Sequence, residues 1–283
     1  MKLRDILCSL PGGVARASAP ASVGEAIPTD AEVILGIALD LGAEILRCGG
    51  EIYRVEDTIA RVCRAYGAEE VQAFAITSLI IADIRMPGGE KATATRRVRS
   101  TYNHLSRLEA CNALSRAICR QPVSAREVSA RLADIRHYRP VPEWLCIAGG
   151  TLSTGGFAMF FGGTWLDSLA AMVIGFLLIL FTRLRPLRIA AMLRSFLSSF
   201  AGGVFAMLFV AMGFGDNVDK IIIGTIMLEI PGLSFGNSLR DLLCGDTLAG
   251  TMRLIQAVIQ ALVIAMGYMA ALVLFDGRLG GLL

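Results

Sequence analysis

From Trp144 to Phe275 the chain is one apolar run after another, and no other feature constrains its fold as strongly. Five runs stand out: about Trp144–Phe161, Leu166–Thr182, Leu193–Phe214, Val218–Leu233 and Leu254–Phe275. A helical crossing needs roughly 20 residues at 1.5 Å each, within about 17–25. The second and fourth runs are short, and Pro231-Gly232 interrupts the fourth. In hydrocarbon no water satisfies a freed backbone group, so a broken crossing persists only against protein or a polar cavity. The expected fold class is an α-helical polytopic membrane protein of about five transmembrane helices.

The charges lie elsewhere. Residues 1–140 hold 19 of the 27 Lys and Arg and 16 of the 24 Asp and Glu, which predicts an N-terminal α+β cytosolic domain ahead of the membrane part. The prolines in Tyr138-Arg-Pro-Val-Pro-Glu143 deny a continuous helix at the join. The organisation expected is a disordered tail over 1–28, a cytosolic domain over 29–140 and a transmembrane domain over 141–283. Arg183, Arg185, Arg188 and Arg194 between runs two and three, with Arg240 and Arg253 between four and five, face the cytoplasm by the positive-inside rule. The C-terminal FDGRLGGLL then faces outward, in a bacterial cytoplasmic (inner) membrane. The first residues make no secretory leader, because Asp5 and Pro11-Gly12-Gly13 break the apolar stretch.

Within the soluble domain, Thr29-Asp-Ala-Glu32 reads as a capping box opening a helix, which Cys48-Gly49-Gly50 interrupts. Ile52, Val55, Ile59, Val62 and Tyr66 continue at helical spacing and Gly67 stops them. Strands are expected at Val71–Phe74, Ser78–Arg85 and Lys91–Val98, then helices near Asn103–Cys119 and Ser124–His137. Seven cysteines form no C-x-x-C pair, and His104 and His137 stand alone, so no metal, cofactor or disulfide framework is indicated. The RRVR run at 96–99 reads as a solvated strand face or as a contact for anionic lipid or a polyanion; no nucleic-acid partner is implied.

The chemistry concentrates in residues 218–253. Counted along a straight helix from Val218, Glu229 falls about 16 Å down, near the middle of a ~30 Å core. An ionisable group there marks a permeation or relay site by default: it can carry a proton or meet a substrate ammonium, or it can be a structural residue paired to an Arg. After Pro231 and Gly232 a second helical piece would offer free N-terminal amides to a carboxylate. Asn237, Arg240 and Asp241 share one face. They suit a cytoplasmic gate in which Arg240 receives a carboxylate, or an interface anchor partnered by Asp241. Arg253, Gln256 and Gln260 line one face of the last run, as a polar path or as interhelical bonds. Ser195-Ser199-Gly203 and Ser198-Gly202-Ala206 read as a close-packing face. No catalytic constellation is visible.

Three segments together resemble the threonine/serine exporter family: GAEILRCGGEIYRVEDTIARVCRAYG (42–67), TYNHLSRLEACNALSRAI (101–118) and IMLEIPGLSFGNSLRDLLCGDTLAGTMRL (226–254). The last is similar to the family's PG-x(4)-N-x(2)-RD-x(3)-GD-x(3)-G-x(2)-R stretch, with Glu229 where the family pattern carries an apolar residue. The length resembles the larger subunit of the split two-component form. The resemblance implies export of threonine and serine, or of dicarboxylates such as succinate. It also implies a small polytopic membrane subunit as partner, beside substrate and lipid; a second copy of the chain stays open. The alternative function is a membrane-tethered metabolite sensor or regulator, and nothing points to an enzyme.

Overall fold

The structure, a computed structural model, describes residues 27–137, 141–183 and 191–279. The expected tail up to residue 26, the join at 138–140, Arg185, Arg188 and residues 280–283 lie outside them. The chain is mostly helical, with a strand-and-helix region at its N-terminal end. It divides into two compact units, Met1–Pro140 with Leu233–Leu254 and Val141–Gly232 with Ile255–Leu283.

The first unit is built around α1 (Ala31–Arg47), which is buried on nearly every side. Asp30 caps it, its carboxylate accepting from the amides of Glu32 (2.8 Å) and Val33 (3.3 Å). The cap is therefore Asp30 rather than Thr29, one residue later than the capping-box pattern suggests. Cys48-Gly49-Gly50 turns the chain into α2 (Ile52–Ala65), whose Val55, Ile59 and Val62 pack inward. Gly67, at φ +97°, follows the end of α2 in the left-handed region that suits glycine.

An antiparallel meander follows: β1 (Glu70–Ile76), β2 (Leu79–Arg85) and β3 (Lys91–Arg97). Ile80, Ala82 and Ile84 alternate inward on the central strand. On β3 it is Ala92 and Ala94 that turn to the core. Arg96 reaches Asp40 of α1 at 2.7 Å, so one arginine of the RRVR run is spent within the domain. Then come α3 (Leu105–Arg120), capped by the His104 ring, and α4 (Ala125–His137). Burial pushes the Cys63 and Cys111 thiols up to about 12, which keeps them protonated and inert. Glu44 is buried on α1 and is answered by Arg47 (3.1 Å) and by Arg136 of α4 (2.9 Å).

The second unit contains α5 (Glu143–Phe160), α6 (Trp165–Arg183), α7 (Ala191–Ala211) and α8 (Val218–Ile226). Helix α9 (Gly232–Leu243) runs on into the first unit. The long α10 (Thr247–Leu279) starts there and continues into the second. Among the described residues, three helices are long and apolar enough to cross a membrane: α6, α7 and α10 over Thr247–Phe275. The expectation of five is met only in part. Helix α5 has 18 residues, but Gly149-Gly150-Thr151 and Ser153-Thr154-Gly155-Gly156 dilute its apolar character. Helix α8 has only nine.

Small residues set the packing of this unit. A methyl group on Gly224 would meet the Thr154 carbonyl oxygen at 2.6 Å, and one on Gly203 the Ala271 methyl at 2.7 Å, so backbones approach closely at both points. Thr154 donates to the carbonyls of Thr151 and Ala171, which makes it a packing residue. Asp167 is fully buried, and its carboxylate accepts from the amides of Thr164, Asp216 and Asn217 and from the Asn217 side chain. It pins the α5–α6 turn to the α7–α8 turn.

Candidate functional site

Pro231 lacks an amide hydrogen, and its ring clashes with the carbonyl of Met227 if the helix continues. The break accordingly begins a turn earlier than the position of Pro231 alone suggests. Helix α8 ends at Ile226, the amides of Glu229 (3.0 Å) and Ile230 (3.1 Å) fold back onto the Ile226 carbonyl, and helix resumes at Gly232. Glu229 thus sits in the non-helical turn, which corrects its expected place on a straight helix. Its side chain meets α7. Ser199 donates to Oε2 at 2.6 Å, and Ser199 also bonds the Ser195 carbonyl at 2.8 Å. Gln260 of α10 donates to the Ser195 hydroxyl at 2.8 Å. The other carboxylate oxygen, Oε1, and the Ser198 hydroxyl are both buried and make no hydrogen bond of good geometry, although Ser198 stands near enough to the carboxylate to interact with it. No arginine is paired to Glu229 among the described residues. Close by, the Thr225 and Tyr268 hydroxyls stand 3.2 Å apart. An unsatisfied buried oxygen costs about 1–3 kcal/mol, more for a charged group, so this cluster has capacity for a cation or a proton.

The serines of α7 therefore do more than pack. Gly202 and Gly203 do lie against Tyr268, as a close-packing face requires, but Ser199 is turned to Glu229. Sequence spacing placed Ser195, Ser198 and Ser199 on one face without revealing what they faced. Three hydroxyls at that spacing in an apolar run that also has to answer a Glu elsewhere would have been the available signal.

A second polar constellation lies wholly within the first unit. Asn237 of α9 donates to the Gly49 carbonyl at 3.0 Å. Arg240 pairs with Glu51 at 2.8 Å. Asp241 is 1 % exposed and accepts from the Ile52 amide at 3.3 Å and from Arg253 at 2.9 Å. Arg253 donates its other nitrogen to the Gly50 carbonyl at 2.9 Å. Four of the residues singled out in the sequence thus grip one stretch of chain, Gly49-Gly50-Glu51-Ile52. Asp241 partners Arg253, while Arg240 partners Glu51. Burial raises the Asp241 carboxyl above the ordinary range, with Arg253 opposing it. Asp246 directly precedes α10, and Arg54 stands 3.9 Å from Glu51. Glu56 accepts from the Ala75 amide at 2.7 Å and ties α2 to β1. Beside the turn is a cavity of about 110 Å3. Among the described residues no group of His, Cys, Asp and Glu could hold a metal ion.

No solved structure matches the chain. A "Probable threonine/serine exporter" of Mycobacterium tuberculosis (strain ATCC 25618 / H37Rv) is 26% identical over 245 residues, covering 84% of this chain and 46% of the relative. The chain therefore spans about half the length of the curated relative it matches. The family model described as "Putative threonine/serine exporter" (ThrE) matches residues 36–275. That match takes in most of α1, the gripped turn, Glu229 and nearly all of α10, and the chain belongs to the threonine/serine exporter family.

Proposed function

We propose that this chain is a subunit of an exporter in the bacterial cytoplasmic membrane, carrying threonine and serine or small dicarboxylates outward on the proton gradient. The observation that supports this most is Glu229. It lies in a broken helix of an apolar bundle, one oxygen bonded to Ser199 and the other buried near the Ser198 hydroxyl without a bond of good geometry. A carboxylate so placed can take a proton or a substrate ammonium, and ionisable groups at such depth are costly unless used. We read α5 and the interrupted α8 as crossings beside α6, α7 and α10, five in all, with the first unit in the cytosol and the C-terminus outside.

A small polytopic subunit completes the transporter in this reading. Transport sites commonly form between two repeats with matching broken helices, and Pro231 interrupts a single crossing here. Efflux of radiolabelled threonine, serine and succinate tests the proposal, in cells with and without this chain and with and without a small polytopic partner. Faster efflux of at least one substrate is expected when both are present. Equal efflux of all three in every strain would sink it.

A further inference from the structure

The cavity beside the α1–α2 turn lies in the first unit, whereas Glu229 and its serines belong to the second. An engineered cavity of about 150 Å3 holds benzene. One of about 110 Å3, open to solvent, therefore takes only a small ligand, part of which stays at the mouth, and excludes a nucleotide.

The lining narrows the chemistry further. Glu51 is held by Arg240 at 2.8 Å and faces Arg54 at 3.9 Å. One carboxylate thus answers two guanidiniums, and the long contact leaves the Arg54 donors open to an incoming carboxylate. Oε2 of Glu51 meets Arg54 only across that 3.9 Å ion pair, which is loose enough to admit an ammonium beside it. Asn103 stands over the turn, so close that a methyl group on Gly49 would come within 2.5 Å of its side-chain oxygen. Its amide carries no hydrogen bond among the described residues. Asn237 spends its amide nitrogen on Gly49 and keeps its oxygen. Leu108 and Leu233 supply an apolar wall.

We propose that this cavity is a binding site for a small zwitterion, an α-amino acid with a short side chain. Arg54 and Asn103 receive the carboxylate, Glu51 the ammonium, and the leucine wall the side chain. A dicarboxylate is disfavoured, because its second carboxylate would meet Glu51. The charged pair in the lining carries the zwitterion class, and the choice of serine and threonine as probes rests on the export reading.

Hydrogen exchange of the purified full chain with millimolar L-serine, L-threonine or succinate tests it, alongside equilibrium binding of radiolabelled serine. Serine and threonine should slow exchange in peptides covering 48–54 and 103–108, and succinate should not. Arg54→Gln should weaken binding at least about tenfold by removing a charge-assisted bond and abolish that local protection. Leu105→Trp, at a lip position exposed enough to accept it, should block entry without touching the turn. The proposal is overturned if serine gives no protection there, if both variants bind and protect like the parent chain, or if succinate protects as well as serine. Protection confined to the Ser195–Ser199 and Glu229 peptides would likewise overturn it while leaving the export reading intact.

Discussion

Arg253→Leu tests most directly how α9 is held to the α1–α2 turn. The guanidinium is 11 % exposed and makes two bonds of 2.9 Å, one to Asp241 and one to the Gly50 carbonyl. Without it, Asp241 keeps only the longer bond from the Ile52 amide, and the Gly50 carbonyl loses its partner. Removing one member of a buried pair costs about 3–5 kcal/mol. At about 2–4 °C per kcal/mol for a body of 150–250 residues, the apparent melting point of the purified chain should fall by about 6–20 °C. Asp241→Leu combined with Arg253→Leu removes both charges and should regain much of the loss. The defect should also depend on pH. Burial already raises the Asp241 carboxyl, and loss of Arg253 raises it further. An acid raised in the folded state favours folding most when protonated, below its unfolded value, and that contribution is lost as pH rises through the folded value. The variant should therefore melt closer to the parent at about pH 5 than at about pH 8. A shift under about 2 °C, or a double variant no better than the single one, would refute the reasoning.

Gly49→Ala and Gly67→Ala separate steric from conformational cost. Both glycines have positive φ, but only at Gly49 does an added methyl meet another residue. Gly67→Ala should cost about 1–2 kcal/mol and Gly49→Ala more, by melting point; equal losses would discount the Asn103 contact. Arg240→Lys should leave the stability, read from the melting point, within about 1 kcal/mol of the parent, because the side chain is 59 % exposed. Export should fall if Arg240 receives a carboxylate through its planar fork, and unchanged efflux would leave it an anchor for Glu51. Glu229→Gln should abolish the response of export to an imposed pH gradient if Glu229 carries the proton, or weaken amino-acid transport while sparing succinate if it holds the substrate amine. Retention of both behaviours would make Glu229 structural.

The local elements are legible along the chain, because local signals act over three or four residues. Val55, Ile59 and Val62 at helical spacing, glycine at Gly67 and Pro87-Gly88-Gly89 between β2 and β3 each dictate backbone conformation where they stand. Apolar runs marked five candidate crossings, of which α6, α7 and α10 are long and apolar enough in the structure. What local rules misplace is small: the cap at Asp30 rather than Thr29, and a helix that ends at Ile226 because Pro231 disables the turn before it. Tertiary structure decided the partners. Arg240 and Asp241 are adjacent and of opposite charge, which suggests a pair, yet each is answered by a different residue, Glu51 from 189 positions away and Arg253 from 12. Ser199 meets Glu229 across 30 positions. A polar side chain announces that it needs a partner, but which one it meets depends on which groups lose water together when the helices pack, and no spacing along the chain encodes that.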